Sequence, residues 1–168
     1  MTKMQKKKVY LAGSIAGGRE FSDNIKNISS VIESLGLRVV TKATTVNTSK
    51  KYTSSFTLAG RRRIVKRDKR WLSGSDYVVV VVSQYSHGVG YEHYHAENNN
   101  KPILLLRHDS LKDQRYSAFI DGTGYKKLMF SFYNETTIKD ILIKFFKKYN
   151  WYGFWRIPKR IKENSNLS

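Results

Sequence analysis

Two acidic residues in this sequence stand where a carboxylate could do chemistry. Glu92 follows the stretch SQYSHGVGY (residues 83–91), whose serine hydroxyls, glycines and backbone N–H groups suit contact with an anion. Asp68 lies at helical spacing from Ile64 and Leu72, so it projects from an apolar stripe among seven Arg and Lys residues. Because a carboxylate on such a stripe costs free energy unless it is paired, Asp68 is either the ion-pair partner of a nearby arginine or a functional acid.

A second glycine-bearing turn, GSIAGG (residues 13–18), follows the first apolar segment. Its spacing differs from the dinucleotide pattern G-x-G-x-x-G, and no suitable acid ends the next predicted strand, which argues against an NAD site. The glycines either let backbone N–H groups approach a phosphate or a sugar, or simply make a tight turn. No cofactor is expected.

Other common catalytic and metal-binding patterns are missing from the sequence. The four histidines show no metal-ligand spacing, so no metal site is predicted. No G-x-S-x-G elbow is present. The absence of cysteine excludes disulfides, thiolate zinc sites and cysteine nucleophiles.

The elements that would position these residues alternate between strand and helix. This pattern predicts a single-domain, flavodoxin/Rossmann-like α/β fold with a five-stranded parallel sheet in the order 2-1-3-4-5 and helices on both faces. Ligands bind such sheets at the switch point beyond strands 1 and 3, where the two glycine-bearing turns would face each other. The predicted strands are 8–13, 37–41, 77–82, 103–106 and 127–133, and the predicted helices are 22–35, 58–72, 89–99 and 135–149, with a polar loop at 42–57. A helix over 89–99 would place Glu92 in its first turn, where the helix dipole favours an ionised carboxylate.

The formal net charge of +18 creates a field that gathers anions. Nucleotides, nucleic acid and anionic lipid all remain open as partners, and a gene composition that favours Lys and Asn codons would also account for the charge. Residues 151–168 are predicted to form a basic, aromatic tail outside the domain at 1–150; its aromatic side chains could stack on bases, rest on a membrane surface or pack on the domain. No membrane span and no signal peptide are predicted, so the expected location is the cytoplasm, or the nucleus in a eukaryote.

Five motifs in order give the sequence a family likeness. Tyr10, GSIxGGR, RDxxWL, SQxSHGVGYE and YSAFIDG resemble the 2′-deoxynucleoside 5′-monophosphate N-glycosidases, which are relatives of the nucleoside 2-deoxyribosyltransferases. The likeness covers roughly residues 8–125. It implies that Glu92 is the nucleophile that attacks C1′ of the sugar, that Asp68 is the acid that helps the base to leave, and that Tyr10 orients the nucleophile and the sugar.

The resemblance also implies substrate-binding residues in both glycine-bearing turns, namely Gly13, Ser14, Ile15, Gly17, Ser86 and Gly88. Ala16 stands where the family usually has arginine, and Arg19 and His87 are candidates to compensate for it. Ser117 matches a serine that family members insert into the neighbouring subunit's site, which implies a homodimer with composite sites. His93 and Tyr94 replace smaller residues and are expected to narrow the base pocket.

The turn before Glu92 separates two subfamilies. Transferases that use free nucleosides usually carry acids in this turn, whereas Ser86, His87 and backbone N–H groups stand there in this chain. Since hydroxyls and N–H groups attract an anion, a nucleoside monophosphate is the favoured substrate. Two alternatives remain: a 2-deoxyribosyltransferase, and a non-catalytic protein that binds nucleotides or nucleic acid on the same scaffold.

Overall fold

A computed structural model describes residues 6–14, 21–41 and 57–150. The strands of this part of the chain form one parallel sheet in the order β2-β1-β3-β4-β5, which confirms the predicted order. They are β1 (Lys8–Gly13), β2 (Arg38–Val39), β3 (Tyr77–Val81), β4 (Ile103–His108) and β5 (Leu128–Tyr133). The helices are α1 (Ser22–Ser34), α2 (Leu58–Ser73), α3 (His87–Asn98) and α4 (Ile138–Lys148).

The sheet is buried on both faces, as the continuous valine run of β3 predicts. Alternate residues of each strand point to opposite faces, so they enter two separate cores. Val79 and Val81 pack with side chains of α1 and α4. Val78 and Val80 pack with Tyr10 and with side chains of α2 and α3. The protein is therefore a three-layer α/β domain, and Tyr10 faces the layer that contains α2 and α3.

Helix α3 begins earlier than the sequence predicts. Ser86 is its N-cap, with an extended backbone and an Oγ that accepts a hydrogen bond from the Val89 N–H at 3.4 Å. Because the helix starts at His87 rather than at residue 89, Glu92 is its sixth residue and lies beyond the first turn. The prediction that Glu92 lies in the first turn, where the dipole would stabilise its charge, is therefore wrong.

The end of β1 is fixed from two sides. A Cβ added to Gly13 would lie 2.6 Å from the Ile25 Cδ1 atom, so glycine allows α1 to pack closely against this strand end. On the other side, the Thr41 hydroxyl accepts from the Leu11 N–H and donates to the Leu11 carbonyl. These contacts hold the strand that carries Tyr10 in a fixed position.

Several predictions lie outside the described residues. They concern Ile15, Ala16, Gly17 and Arg19 of the first glycine-bearing turn, residues 42–56 of the polar loop and the tail at 151–168. Within the described ranges, none of the helices is long and apolar enough to cross a membrane.

Candidate active site

Tyr10 and Glu92 meet at the predicted switch point of the sheet. Tyr10 pairs with Val78 between β1 and β3, and its side chain is almost completely buried. Its hydroxyl donates to Glu92 Oε1 on α3 at 2.6 Å. This short, charge-assisted bond fixes one oxygen of the carboxylate and leaves the second oxygen for another partner.

Burial controls the protonation of this pair. Removal from water raises the pKa of Glu92 to about 7; the Tyr10 hydrogen bond opposes this rise, and the nearby Asp68 carboxylate adds to it. Burial and the Glu92 carboxylate also hold the pKa of Tyr10 well above its usual range. Near neutral pH, Tyr10 is therefore a permanent donor and Glu92 is present in both its protonated and its ionised form.

Asp68 joins Glu92 from α2, the helix packed against α3. Its Oδ1 accepts a hydrogen bond from Arg67 Nε at 2.9 Å, and the Arg67 guanidinium lies 4.6 Å from the centre of the Trp71 ring. The side chain of Asp68 is 22% exposed and lines the same cavity of about 190 Å³ as Glu92. Asp68 is thus the partner of a neighbouring arginine and also faces a second carboxylate across a cavity.

The walls of this cavity combine apolar and polar surface. Ile64 and Leu72 of α2 and the ring of Tyr91 on α3 form an apolar side. Such surface keeps water away from the two carboxylates and suits a flat organic ring, and the carboxylates provide the polar contacts. Two carboxyl groups that line one cavity can act on the same small molecule.

A larger cavity of about 440 Å³ lies beside Ser86 and contains neither carboxylate. Ser86 and Ser117 line it together within one chain, as do His93 and Tyr94. A step of one residue turns a side chain by about 100° around a helix, so these two side chains face away from Glu92. They therefore line the larger cavity and not the one that contains the carboxylates. That they narrow the base pocket stays a prediction.

The first residues of α3 lie between the two cavities. Ser86 lines the larger one and Gly88 the smaller one, and His87 is exposed. A Cβ on Gly88 would meet only Ser86 Oγ, at 3.7 Å, so the described residues leave room beside this backbone. Gly13 and Ser14 end β1 on the opposite side of the switch point. The backbone of Gly88 therefore has open space beside it, next to the N-cap of α3.

Arg107 is a residue of this region that the sequence reasoning missed. It is 4% exposed, lines the larger cavity and donates to the carbonyls of Val82, Leu111 and Gln114 at 3.4 Å each. These bonds tie the segment that leads to Ser117 to the sheet. The available signal was an arginine directly after the apolar run ILLL of β4.

Known proteins are similar to this chain in sequence and in fold. No protein-family model matches the chain. A Nematostella vectensis protein named 2′-deoxynucleoside 5′-phosphate N-hydrolase 1 is 36% identical over 141 residues, which cover 83% of this chain and 94% of the relative. The 5-hydroxymethyl-dUMP N-hydrolase of Danio rerio is 32% identical over 140 residues, which cover 83% of this chain and 95% of the relative.

Two solved structures have a similar fold. The Clostridium botulinum CMP N-glycosidase BcmB aligns with a TM-score of 0.58 at 18% identity, over 82% of this chain and 99% of that one. The 2-deoxyribosyltransferase of Bacillus psychrosaccharolyticus aligns with a TM-score of 0.60 at 16% identity, over 79% of this chain and 90% of the transferase chain. At these identities the likeness shows the fold alone.

Proposed function

The chain belongs to the 2′-deoxynucleoside 5′-phosphate N-hydrolases, and from that membership we propose that it cleaves the N-glycosidic bond of (deoxy)nucleoside 5′-monophosphates. The products are the free base and (deoxy)ribose 5-phosphate. One observation carries the assignment to this site: Glu92 is buried, held by Tyr10 at 2.6 Å, and shares a cavity with Asp68. Hydrolysis of a glycosidic bond needs such a pair of carboxyl groups, one ionised and one able to supply a proton.

The first half of the reaction breaks the bond to the base. As the C1′–N bond lengthens, positive charge grows on the sugar, and the free oxygen of ionised Glu92 attacks C1′. The base leaves with the bonding electron pair and takes a proton from Asp68, which in the proposed reactive form of the enzyme carries the single proton of the two carboxyl groups while Glu92 is ionised. The result is an ester between Glu92 and the sugar phosphate, while Tyr10 keeps its hydrogen bond to the other oxygen.

The second half of the reaction returns the site to its starting state. Ionised Asp68 accepts a proton from water as the water oxygen attacks C1′, and Glu92 leaves as a carboxylate. The sum is substrate plus water to base plus sugar phosphate, with no net change in the enzyme. The Arg67 guanidinium, with its Nε 2.9 Å from Asp68 Oδ1, is the partner of this carboxylate.

The phosphate is proposed to bind at the start of α3. The Ser86 hydroxyl and the backbone N–H of Gly88 are the donors there, and Ser14, at the end of β1, is the proposed contact from the opposite side. The helix N-terminus and the net charge of +18 both favour a dianion at this point. Arg19 and His87 remain the candidates to compensate for Ala16.

Release of free base is the direct test of this function. Incubation with each common deoxynucleoside and ribonucleoside 5′-monophosphate is expected to release base from at least one of them. The matching nucleoside should react at least about tenfold more slowly, because it lacks the charge-assisted hydrogen bonds of the phosphate. Chromatography of the products provides the measurement, and an added acceptor base reveals a transferase through an exchanged nucleoside. Equal rates with nucleoside and nucleotide would contradict the proposed phosphate selectivity.

We also propose that the protein acts as a homodimer in which Ser117 completes the neighbouring subunit's phosphate site. Three aromatic side chains around the larger cavity support an interface there: Tyr85 is 81% exposed, Tyr94 63% and Phe119 82%. Exposed rings of this size, grouped around one cavity, are typical of protein–protein contacts. Ser117 lines the same cavity as these rings.

Mixed dimers distinguish a shared site from a site within one chain. Glu92→Gln and Ser117→Ala homodimers are each expected to be impaired. In a mixed dimer with shared sites, one site carries both changes and the other carries neither. After subunit exchange in an equal mixture, half of the dimers are mixed, and each of these has one intact site of two. The mixture should therefore recover about a quarter of the wild-type activity at low substrate. Activity equal to the mean of the two separate variants would show that Ser117 serves its own chain.

A further inference from the structure

The exposed side of α2 carries an unusual density of positive charge. Arg62, Arg63, Lys66, Lys69 and Arg70 are all exposed. At about 100° per residue they fall within an arc of about 120°, so they form one surface, which we call the basic face. The opposite side of the helix is turned toward the carboxylate cavity and the core, through Ile64, Asp68 and Leu72.

No carboxylate neutralises the basic face within the described part of the chain. Asp68 is the only acid on α2, and it pairs with Arg67 on the cavity side. The ion pairs formed by described residues elsewhere do not include any side chain of the basic face. A row of unpaired cations repels itself, and a nucleic acid that binds it gains free energy by releasing the counterions condensed on its own phosphates.

An exposed aromatic platform borders the basic face. The Tyr91 ring is stacked on the His95 ring, with centres 6.2 Å apart and an interplanar angle of 7°, and Tyr91 is 48% exposed. The Lys69 ammonium lies 5.4 Å from the centre of the Tyr91 ring, which links the platform to the cations. Proteins that bind single strands combine cations, which contact the nucleic-acid backbone, with aromatic rings on which unpaired bases stack. The basic face and the Tyr91 ring have this combination.

We propose that the basic face and the Tyr91 platform together bind single-stranded nucleic acid. The cations of α2 contact successive phosphates, and one base stacks on Tyr91. A duplex does not offer an unstacked base to such a ring, so single strands fit the surface better. A membrane fits it less well, because an interfacial helix needs a broad apolar side, and the apolar side of α2 is packed against the domain. Lys69 and Tyr91 also line the carboxylate cavity, so the bound strand lies beside its mouth.

Salt-dependent binding tests the basic face without any turnover. The probe is a labelled, mixed-sequence single-stranded DNA of about 20 nucleotides, followed by fluorescence anisotropy over a range of salt concentrations. The variant Arg62→Gln/Lys66→Gln/Arg70→Gln removes three cations and keeps good helix formers. The slope of log K against log salt should become shallower by about 2, since each phosphate contact on a single strand contributes about 0.7.

A matched control removes the same charge elsewhere. Lys139→Gln/Lys144→Gln/Lys148→Gln takes three exposed lysines from α4, on the other face of the sheet. This variant should bind the DNA with the wild-type slope. An equal loss of slope in both variants would mean that net charge alone attracts the DNA, and the proposal would be overturned.

The aromatic platform has a separate test. Tyr91→Leu should weaken binding of the single strand by about 5- to 100-fold and leave the salt slope unchanged, because the change removes stacking and no charge. Duplex DNA of the same length should bind more weakly than the single strand. The assignment fails if the duplex binds as tightly, or if the protein prefers vesicles of anionic phospholipid to the oligonucleotide and this preference requires the basic face.

Discussion

Replacement of Glu92 by glutamine is expected to lower kcat by at least about a thousandfold, which corresponds to about 4 kcal/mol of activation free energy. The amide keeps the size of the side chain and can still contact the Tyr10 hydroxyl. It cannot attack C1′ or balance the positive charge that develops on the sugar. Because the pocket raises the pKa of Glu92 and so disfavours its charge, the neutral replacement should not destabilise the fold.

The control for this variant is Glu97→Gln, five residues further along the same helix. Glu97 lines the larger cavity, where it accepts a hydrogen bond from Thr123 and faces His93. Its replacement removes the same charge from α3 and should leave kcat within about threefold of wild type. Steady-state release of base by both purified variants provides the comparison. If Glu92→Gln retains turnover similar to that of Glu97→Gln, Glu92 is not the nucleophile.

The sequence predicts the scaffold of this protein better than the details of the site. The alternation of apolar strands with amphipathic helices was sufficient for the sheet order, because a parallel sheet with helices on both faces has few allowed topologies. The start of α3 was misplaced by two residues because Ser86 and the two glycines that follow are all plausible cap residues. That small error changed the electrostatic environment assigned to Glu92 from the first turn of a helix to a buried pocket.

The contacts around Glu92 and Arg107 could not be read from the chain because they join distant segments. Tyr10 and Glu92 are 82 positions apart, and their hydrogen bond depends on the register between β1 and β3. Arg107 donates to three carbonyls from two separate segments, and backbone carbonyls have no sequence signature. Family likeness supplied the role proposed for Glu92, but only the packed structure shows the burial that raises its pKa.

This burial places two demands on Glu92 that conflict. Attack on C1′ requires the ionised carboxylate, whereas the pocket favours the protonated acid. The Tyr10 hydroxyl reduces the conflict, because it donates a hydrogen bond that stabilises the ionised form. A substrate with developing positive charge on its sugar would favour ionisation further. The free protein should therefore lose stability when it holds Glu92 in the form needed for attack.

The free energy of unfolding is accordingly expected to fall as the pH rises through the Glu92 titration. The folded pKa of about 7 lies above the unfolded value of 4.5, so the folded state binds the proton more tightly. The stabilising contribution is complete below the unfolded pKa and is lost as the pH rises toward and through 7. Relative to Glu92→Gln, wild-type protein should lose about 2 to 3 kcal/mol between pH 5 and pH 8.

Urea unfolding of both proteins at a series of pH values measures this difference, and the comparison cancels the titration of groups that do not interact with Glu92. Tyr10→Phe extends the test, because it removes the hydrogen bond that lowers the pKa of Glu92. Between low and high pH, Tyr10→Phe should lose more stability relative to Tyr10→Phe/Glu92→Gln than wild type loses relative to Glu92→Gln. The loss should also continue to a higher pH. A difference between wild type and Glu92→Gln that stays constant from pH 5 to pH 8 would show that Glu92 titrates in the folded protein as it does in water, and that the pocket does not bury its charge.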